Sequence, residues 1–278
     1  MRYWINLVLI AVVFTAGCNP PRVEDPGILC AGKPSVLEAV QTLELQRASI
    51  HPIRASVDVT LKWTQDGKEK KERLNAQLRY VPEDRLFLRG DKFGEIRFGT
   101  NEDAFWLMIK PEADSYWWGT RRGGERCAAS MRFDPWHVAE ALGAVQVDAG
   151  WGLAHEGGSD ILTQTNTFGR VAKRIWVRAC DYLIERIEMY PPDGNEIIRI
   201  LLDDYVRTEQ GYAVATDIQI EHYRDTEVLG VMRLELSGVR YFETDPRRME
   251  RLFARPSSEN YENVYRLTED CDFIEEQP

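Results

Sequence analysis

The sequence has few of the residues that usually carry catalysis or metal binding. It contains 4 His and 5 Cys among 278 residues, and it has no CxxC, HExxH, GxSxG or P-loop motif. Acidic residues outnumber basic ones by 45 to 35, and no block of Lys and Arg is long enough to follow a phosphate backbone. We therefore expect no enzymatic activity, no cofactor, no metal site and no binding of nucleic acid.

The amino-terminal hydrophobic run is too short to span a membrane. Ile5–Phe14 is apolar except for Asn6 and follows the positive charge of Arg2. A spanning helix needs roughly 20 apolar residues, whereas this length is typical of the central region of a secretory signal peptide. The sequence therefore predicts export from the cytoplasm.

The end of this run resembles the lipobox of bacterial lipoproteins. Ala16 and Gly17 directly precede Cys18, although Thr15 stands where that family prefers Leu, Val or Ile. The resemblance implies cleavage before Cys18, attachment of a diacylglyceryl group to its thiol and acylation of the new amino terminus, which together make a stable membrane anchor. Asn19 at the next position favours the outer membrane, facing the periplasm. An ordinary signal peptide with an incidental cysteine is the alternative.

Composition divides the chain into four parts. Residues 1–17 are the predicted signal peptide, and residues 18–34, with four prolines and little apolar periodicity, are a lipidated tether. Residues 35–255 carry the patterns of one folded domain. Residues 256–278 are acidic and weakly periodic, so we expect a loosely packed tail with Cys271 as its one attachment.

Four cysteines remain when the lipidated one is set aside, namely Cys30, Cys127, Cys180 and Cys271. An even number in an oxidising compartment predicts that all four form disulfides. Four cysteines allow three connectivities, and the sequence does not choose among them. Our working hypothesis joins Cys30 to Cys271, at the two ends of the folded region; free, buried thiols are the alternative.

The folded part is dominated by strands. Ser35–Ile50 has the apolar spacing of an amphipathic helix, and an alternation of apolar and polar residues follows on both sides of Asp66-Gly67, which predicts a β-hairpin. Further alternating segments continue to Phe242, interrupted by one helix that opens at Asp134-Pro135 and by a glycine-rich loop at Asp148–Asp160. We predict an α+β fold: an open, strongly curved antiparallel sheet of about 10–12 strands, an unclosed half-barrel lidded by a few α-helices.

Six short segments stand out in the order of these elements, namely Asp84–Arg89, Phe105–Ile109, Lys173–Trp176, Leu183–Ile187, Leu202–Tyr205 and Leu234–Val239. With them, about residues 35–242 resemble the LolA/LolB-like superfamily of bacterial outer-membrane lipoprotein-localisation proteins, which are lipoprotein carriers. The resemblance implies an unclosed antiparallel barrel with helices over its hollow. The superfamily also includes sensors and lipoproteins of other roles, so a shared fold does not settle function.

Alternation predicts which side chains face the inside of the half-barrel. The candidates on the first three strands are Val59, Leu61, Trp63, Leu74, Leu78, Tyr80, Leu86 and Leu88. Trp63 and Tyr80 end their strands on this face, where they would form the rim of an opening or plug it. Large aromatic side chains either fill such a core or line a hollow that takes an apolar ligand.

Two functions are consistent with these observations. The first is an envelope lipoprotein that binds acyl chains of a lipid or lipoprotein, or another hydrophobic ligand, on the concave face of the sheet for transport. The second is a structural or sensory envelope lipoprotein with a filled core, which binds an envelope protein partner through a sheet edge or loops. In both, the lipid anchor holds the protein to the membrane of the bacterial cell envelope.

Overall fold

Fifteen strands of the described chain form one sheet with two free edges. The structure is a computed structural model that describes residues 30–276, except residues 66, 83, 92–93, 112, 128–134, 191–197, 226 and 244. The predicted signal peptide, Cys18 and most of the tether therefore lie outside the described residues. The strands are β1 (Ile53–Gln65), β2 (Lys68–Val81), β3 (Arg85–Asp91), β4 (Glu95–Thr100), β5 (Ala104–Lys110), β6 (Ser115–Thr120), β7 (Gly152–Glu156), β8 (Ser159–Thr165), β9 (Val171–Arg178), β10 (Ile184–Met189), β11 (Ile198–Arg207), β12 (Ala213–Arg224), β13 (Glu227–Tyr241), β14 (Asn263–Leu267) and β15 (Phe273–Glu276).

Two meanders make up the sheet and meet at the antiparallel pair β1–β13. The strand order is β15-β14-β6-β5-β4-β3-β2-β1-β13-β12-β11-β10-β9-β8-β7. We call β1–β6 with β14 and β15 the first arm, and β7–β13 the second arm. In the described chain, neighbouring strands are antiparallel except β14 and β6, which are parallel. The sheet stays open, and the predicted fold class is confirmed.

The sheet has more strands than the 10–12 predicted. β7 lies in the glycine-rich region expected to be a loop, and β14 and β15 lie in residues 256–278. Both edge strands, β7 and β15, are largely exposed, so they lack the apolar alternation that reveals a half-buried strand. The expectation of a loosely packed tail is wrong, because β14 pairs with both β6 and β15 and buries Val264 and Leu267.

Helices cover the inner face of the sheet. They are α1 (Val36–Ala48), α2 (Arg121–Cys127) and α3 (Pro135–Ala139), which continues as a π-helical turn (Glu140–Ala144). The Ser35 side chain starts α1 by accepting a hydrogen bond from the Glu38 backbone N–H at 3.3 Å. Ala39, Val40 and Leu43 of α1 then enter a core shared with α3, the π-helical turn and strands of both arms.

A fourth helix, α4 (Pro246–Phe253), packs on the outer face of the first arm. Asp245 caps it by accepting a hydrogen bond from the Arg247 backbone N–H at 2.9 Å, and proline occupies its first turn. Met249 and Phe253 are its buried side chains. This part of the outer face is thus covered, although the sheet alternation alone predicts a solvated surface.

All four predicted disulfide cysteines are bonded, but not in the pairing of our working hypothesis. The bonds are Cys30–Cys180 and Cys127–Cys271, with Cα–Cα distances of 5.0 and 5.1 Å. The Cys30–Cys271 hypothesis is wrong because the two chain ends lie on different arms. Cys30 contacts the turn after β9 in the second arm, whereas Cys271 follows β14 at the edge of the first arm.

Candidate functional site

The residues predicted to line a hollow in the first arm are packed into the core there. Val59, Leu78, Tyr80, Leu86 and Leu88 are buried. Leu61 and Leu74 pack at the margin of the same cluster, and Trp63 is half-buried. Leu78, Tyr80 and Leu86 have no solvent exposure. These side chains therefore fill the space under the helices of the first arm instead of lining a hollow.

An apolar cavity lies instead at the end of the second arm. It has a volume of about 50 Å³ and lies between α1, the π-helical turn and the strands β10–β12. Its lining residues are Leu43, Gln46, Arg47, Ile50, Glu140, Ala141, Gly143, Val145, Leu183, Ile184, Leu202, Tyr205, Tyr212, Ala213 and Ala215. Most of these side chains are apolar and several are small, so the cavity suits an alkyl group.

A more open groove of about 300 Å³ adjoins this cavity along α1. The groove and the cavity share Gln46, Leu183, Tyr212 and Ala213 as lining residues. Leu45, which also lines the groove, is 73% exposed. The cavity and the groove adjoin through these shared residues, and together we call them the α1 groove.

Tyr205 follows a residue with an unusual backbone conformation. Asp204 has a φ of 50°, and the pairing of β11 with β12 keeps its register around it, with Asp203 opposite Asp217 and Tyr205 opposite Ala215. Tyr205 then packs against the core and its hydroxyl donates to the Ile184 carbonyl. Burial raises the pKa of the Tyr205 hydroxyl above its usual value.

Gly143 lets the π-helical turn approach the sheet closely. Its φ of 107° is a conformation that favours glycine, and a Cβ at this position would contact the Tyr212 hydroxyl and lie 2.7 Å from Ile50. The Tyr212 hydroxyl donates a hydrogen bond to the Leu142 carbonyl, which fixes the turn to β12. This contact closes the inner end of the cavity.

Charged groups at the mouth are paired with one another. Lys173 on β9 lies 2.7 Å from Glu140 in the π-helical turn, and Arg47 lies 2.8 Å from Glu44 within α1. Ion pairs thus neutralise these charged groups beside the mostly apolar lining of the cavity.

Two buried histidines lie between α3 and the second arm. The rings of His137 on α3 and His222 on β12 are 6.0 Å apart. Burial, followed by repulsion from His137, lowers the pKa of His222 from 6.5 to about 4. His222 is therefore neutral at physiological pH. Among the residues with assigned positions, no three His, Cys, Asp or Glu side chains are grouped to hold a metal ion.

Small residues in the sequence are a weak signal for the α1 groove, and strand alternation does not reveal it. Ala213 and Ala215 are small residues on an inward-facing strand, directly after Tyr212, and Gly143 interrupts a helical segment. Small residues at such positions leave space that large neighbours do not fill. Their spatial meeting depends on β12 packing against the π-helical turn, which no local pattern shows.

Solved structures share this architecture. A domain assigned to outer membrane lipoprotein sorting, from Vibrio parahaemolyticus, is 14% identical with a TM-score of 0.51, covering 78% of this chain and 98% of that one. A DUF1329 family protein from Desulfovibrio piger is 12% identical with a TM-score of 0.49, covering 75% and 94%. A LolA superfamily protein from Nitrosomonas europaea is 9% identical with a TM-score of 0.48, covering 78% and 97%.

No protein-family model and no curated protein matches the chain. No helix within the described ranges has both the length and the apolar character needed to cross a bilayer. At 14% identity the first structural match concerns the fold alone. The match covers 98% of that chain and 78% of this one. Together with the open sheet and the helices on its inner face, it shows that this chain has a LolA/LolB-like fold.

Proposed function

We propose that this protein is a lipid-anchored component of the bacterial cell envelope that binds an acyl chain, or a similar hydrophobic ligand, in the α1 groove. The observation that carries the proposal is that a cavity with a mostly apolar lining adjoins the groove along α1 and shares four lining residues with it. Each methylene group that moves from water into such a site contributes about 0.8 kcal/mol. The structural neighbour assigned to lipoprotein sorting supports the same class of ligand.

The size of the cavity indicates how a chain would enter. Ligand pockets usually measure roughly 300–1,000 Å³, so the cavity of about 50 Å³ would accept the end of an acyl chain and the groove of about 300 Å³ the remainder. Outward movement of α1 would enlarge the site. That movement exposes Ala39, Val40 and Leu43 of α1 and the core side chains beneath them, which is less surface than complete unfolding exposes.

A direct binding experiment tests this proposal. In a secreted Cys18→Ser protein, Ala213→Phe places a large side chain at the junction of cavity and groove without burying a charge. We expect saturable binding of a fluorescent palmitate analogue by the parent protein and a loss of about tenfold or more in affinity for the variant. Ala154→Phe, on the exposed edge strand β7, is the matched control and should bind as the parent does.

Absence of saturable binding by the parent, or equal binding by both variants, would contradict ligand binding in the groove. The second candidate function would then be favoured: a structural or sensory lipoprotein that binds an envelope protein. Its supporting observation is the solid interior of the first arm, where Leu78, Tyr80 and Leu86 have no exposure.

The lipid anchor is tested separately at Cys18. Cys18→Ser should abolish incorporation of radiolabelled palmitate and partitioning into the membrane when the full chain is expressed in a bacterial host. Thr15→Leu restores the residue type usual in the lipobox and should keep both properties. Unchanged labelling of Cys18→Ser would contradict the anchor, and fractionation of inner and outer membranes tests the predicted outer-membrane location. That the protein has no enzymatic activity stays a prediction.

A further inference from the structure

The outer face of the first arm carries a cluster of five arginines, which we call the arginine surface: Arg54, Arg79, Arg89, Arg97 and Arg248. The register places Arg54 of β1 directly opposite Arg79 of β2, and Arg89 of β3 directly opposite Arg97 of β4. Like charges in directly opposed positions destabilise a sheet. The cluster therefore lowers the stability of the protein when nothing is bound to it.

Two concavities flank α4 on this surface. One, of about 210 Å³, is lined by Arg54, Arg79 and Arg248 together with the carboxylates Glu243 and Asp245. The other, of about 280 Å³, is lined by Arg79, Arg89 and Arg97 beside Gln77 and Phe87. Arg79 and Leu252 of α4 line both concavities. Arg79 thus lies where the two concavities meet.

The charges of the arginine surface are only partly neutralised. Glu95 lies 2.7 Å from Arg89 and 2.6 Å from Arg97, so this pair shares one carboxylate. Arg54, Arg79 and Arg248 form no salt bridge with any residue that the structure describes.

The environment of Arg79 is strongly cationic. Arg79 is half-buried, and its pKa is lowered first by burial and then by Arg248, Arg54 and Arg89. This occurs in a chain whose formal net charge is −10. A local excess of unpaired guanidinium groups in an acidic protein indicates an anion-binding role.

We propose that the arginine surface binds a phosphate group, with Arg79 at its centre and Arg54 and Arg248 beside it. Guanidinium groups bind phosphate oxygens through two parallel hydrogen bonds, and they are weakly hydrated enough to do so when partly covered. A bound dianion or monoanion would also relieve the repulsion among the three arginines. The phosphate belongs either to the headgroup of an anionic lipid or to a free phosphate compound.

The experiment uses the secreted Cys18→Ser protein with both disulfides intact. One measurement follows the binding of inorganic phosphate by isothermal titration calorimetry at low salt. The other compares cosedimentation of the protein with phosphatidylglycerol vesicles and with phosphatidylcholine vesicles. The test variant is Arg79→Gln, and the matched control is Arg233→Gln, an outer-face arginine of β13 that Asp217 already pairs at 2.9 and 2.6 Å.

We expect the parent and Arg233→Gln to bind alike and Arg79→Gln to bind at least about tenfold more weakly. Binding to phosphatidylglycerol vesicles alone identifies a lipid headgroup, and binding of inorganic phosphate as well identifies a site for the free group. Absence of both, or equal binding by Arg79→Gln, overturns the proposal. Thermal unfolding monitors the fold of Arg79→Gln, which should be at least as stable as the parent because a repulsive charge is removed. The α1 groove plays no part in this test, so its outcome is independent of the proposed function.

Discussion

The two arms of the sheet are built from the same alternating pattern, yet their interiors differ. In the first arm, Leu78, Tyr80 and Leu86 leave no space under the helices. In the second arm, Ala213 and Ala215 are small, and a cavity remains between them and α1. The difference shows that alternation determines which face is inside, whereas side-chain size at facing positions determines whether that inside is filled.

The outer faces differ as well. In the second arm, outer charges are paired across strands: Arg233 with Asp217 at 2.6 Å, and Arg199 with Glu188 at 3.2 Å. In the first arm, Arg54 and Arg79 face each other without a carboxylate partner in the part of the chain that the structure describes. A surface with unbalanced charge of one sign is typical of a binding site for the opposite charge. The outer face of the first arm is therefore the better candidate for such a site.

Removing the disulfides should lower the free energy of unfolding more than any other change, and each bond stabilises one arm of the sheet. The bond Cys127–Cys271 closes 144 residues and Cys30–Cys180 closes 150 residues. The chain-entropy description therefore gives nearly equal losses, up to about 5 kcal/mol of unfolding free energy each. Denaturant titration of the two paired Cys→Ser variants measures this loss.

Peptide mapping of the oxidised protein provides the control for that comparison. It should recover the two crosslinks and no alkylated thiol at the four cysteines. A Cys30–Cys271 crosslink, or variants that unfold at the parent denaturant midpoint, would contradict the structure.

Truncating a core leucine in each arm should separate the filled interior from the one with a cavity. Leu78→Ala in β2 should cost about 4 kcal/mol, because rigid neighbours surround the side chain completely. Leu43→Ala in α1 should cost only about 2 kcal/mol, since it already borders empty space and α1 can relax inward. Urea unfolding of both variants measures the difference. Equal losses would mean that the two arms are packed alike.

The second arm should also carry a pH dependence that comes from His222. Because the folded pKa of His222 is about 4 and its unfolded value about 6.5, the unfolded state binds more protons between these values. This contribution is fully present above about pH 6.5 and is lost as the pH falls to about 4, a change of about 3 kcal/mol.

Stability measured from pH 7 to pH 4 should therefore fall less steeply in His222→Leu than in the parent. His51→Gln, which removes a histidine outside this buried pair, is the control. Parallel curves for the parent and His222→Leu would show that His222 does not titrate in this way.

Much of the fold could be predicted because its determinants are local. The hairpin of β1 and β2 follows from alternation around its turn, and α1 follows from the apolar spacing of Ser35–Ile50. The edge strands β7 and β15 could not be predicted this way, because strands with little burial are not required to alternate. The position of the cavity was equally hidden, since it depends on Gly143 and Ala213 meeting across the core.

The sequence by itself determined the open antiparallel sheet, its covering helices and the oxidation of four cysteines. These properties depend on periodicity, capping and cysteine number, which are visible in neighbouring residues. Only the tertiary structure decided that Cys30 bonds Cys180, that the second arm keeps a cavity, and that Arg54 and Arg79 lie side by side. Each of these depends on strands distant in the chain that pair in one register, and pairing over long separations is set by the packing of the whole sheet.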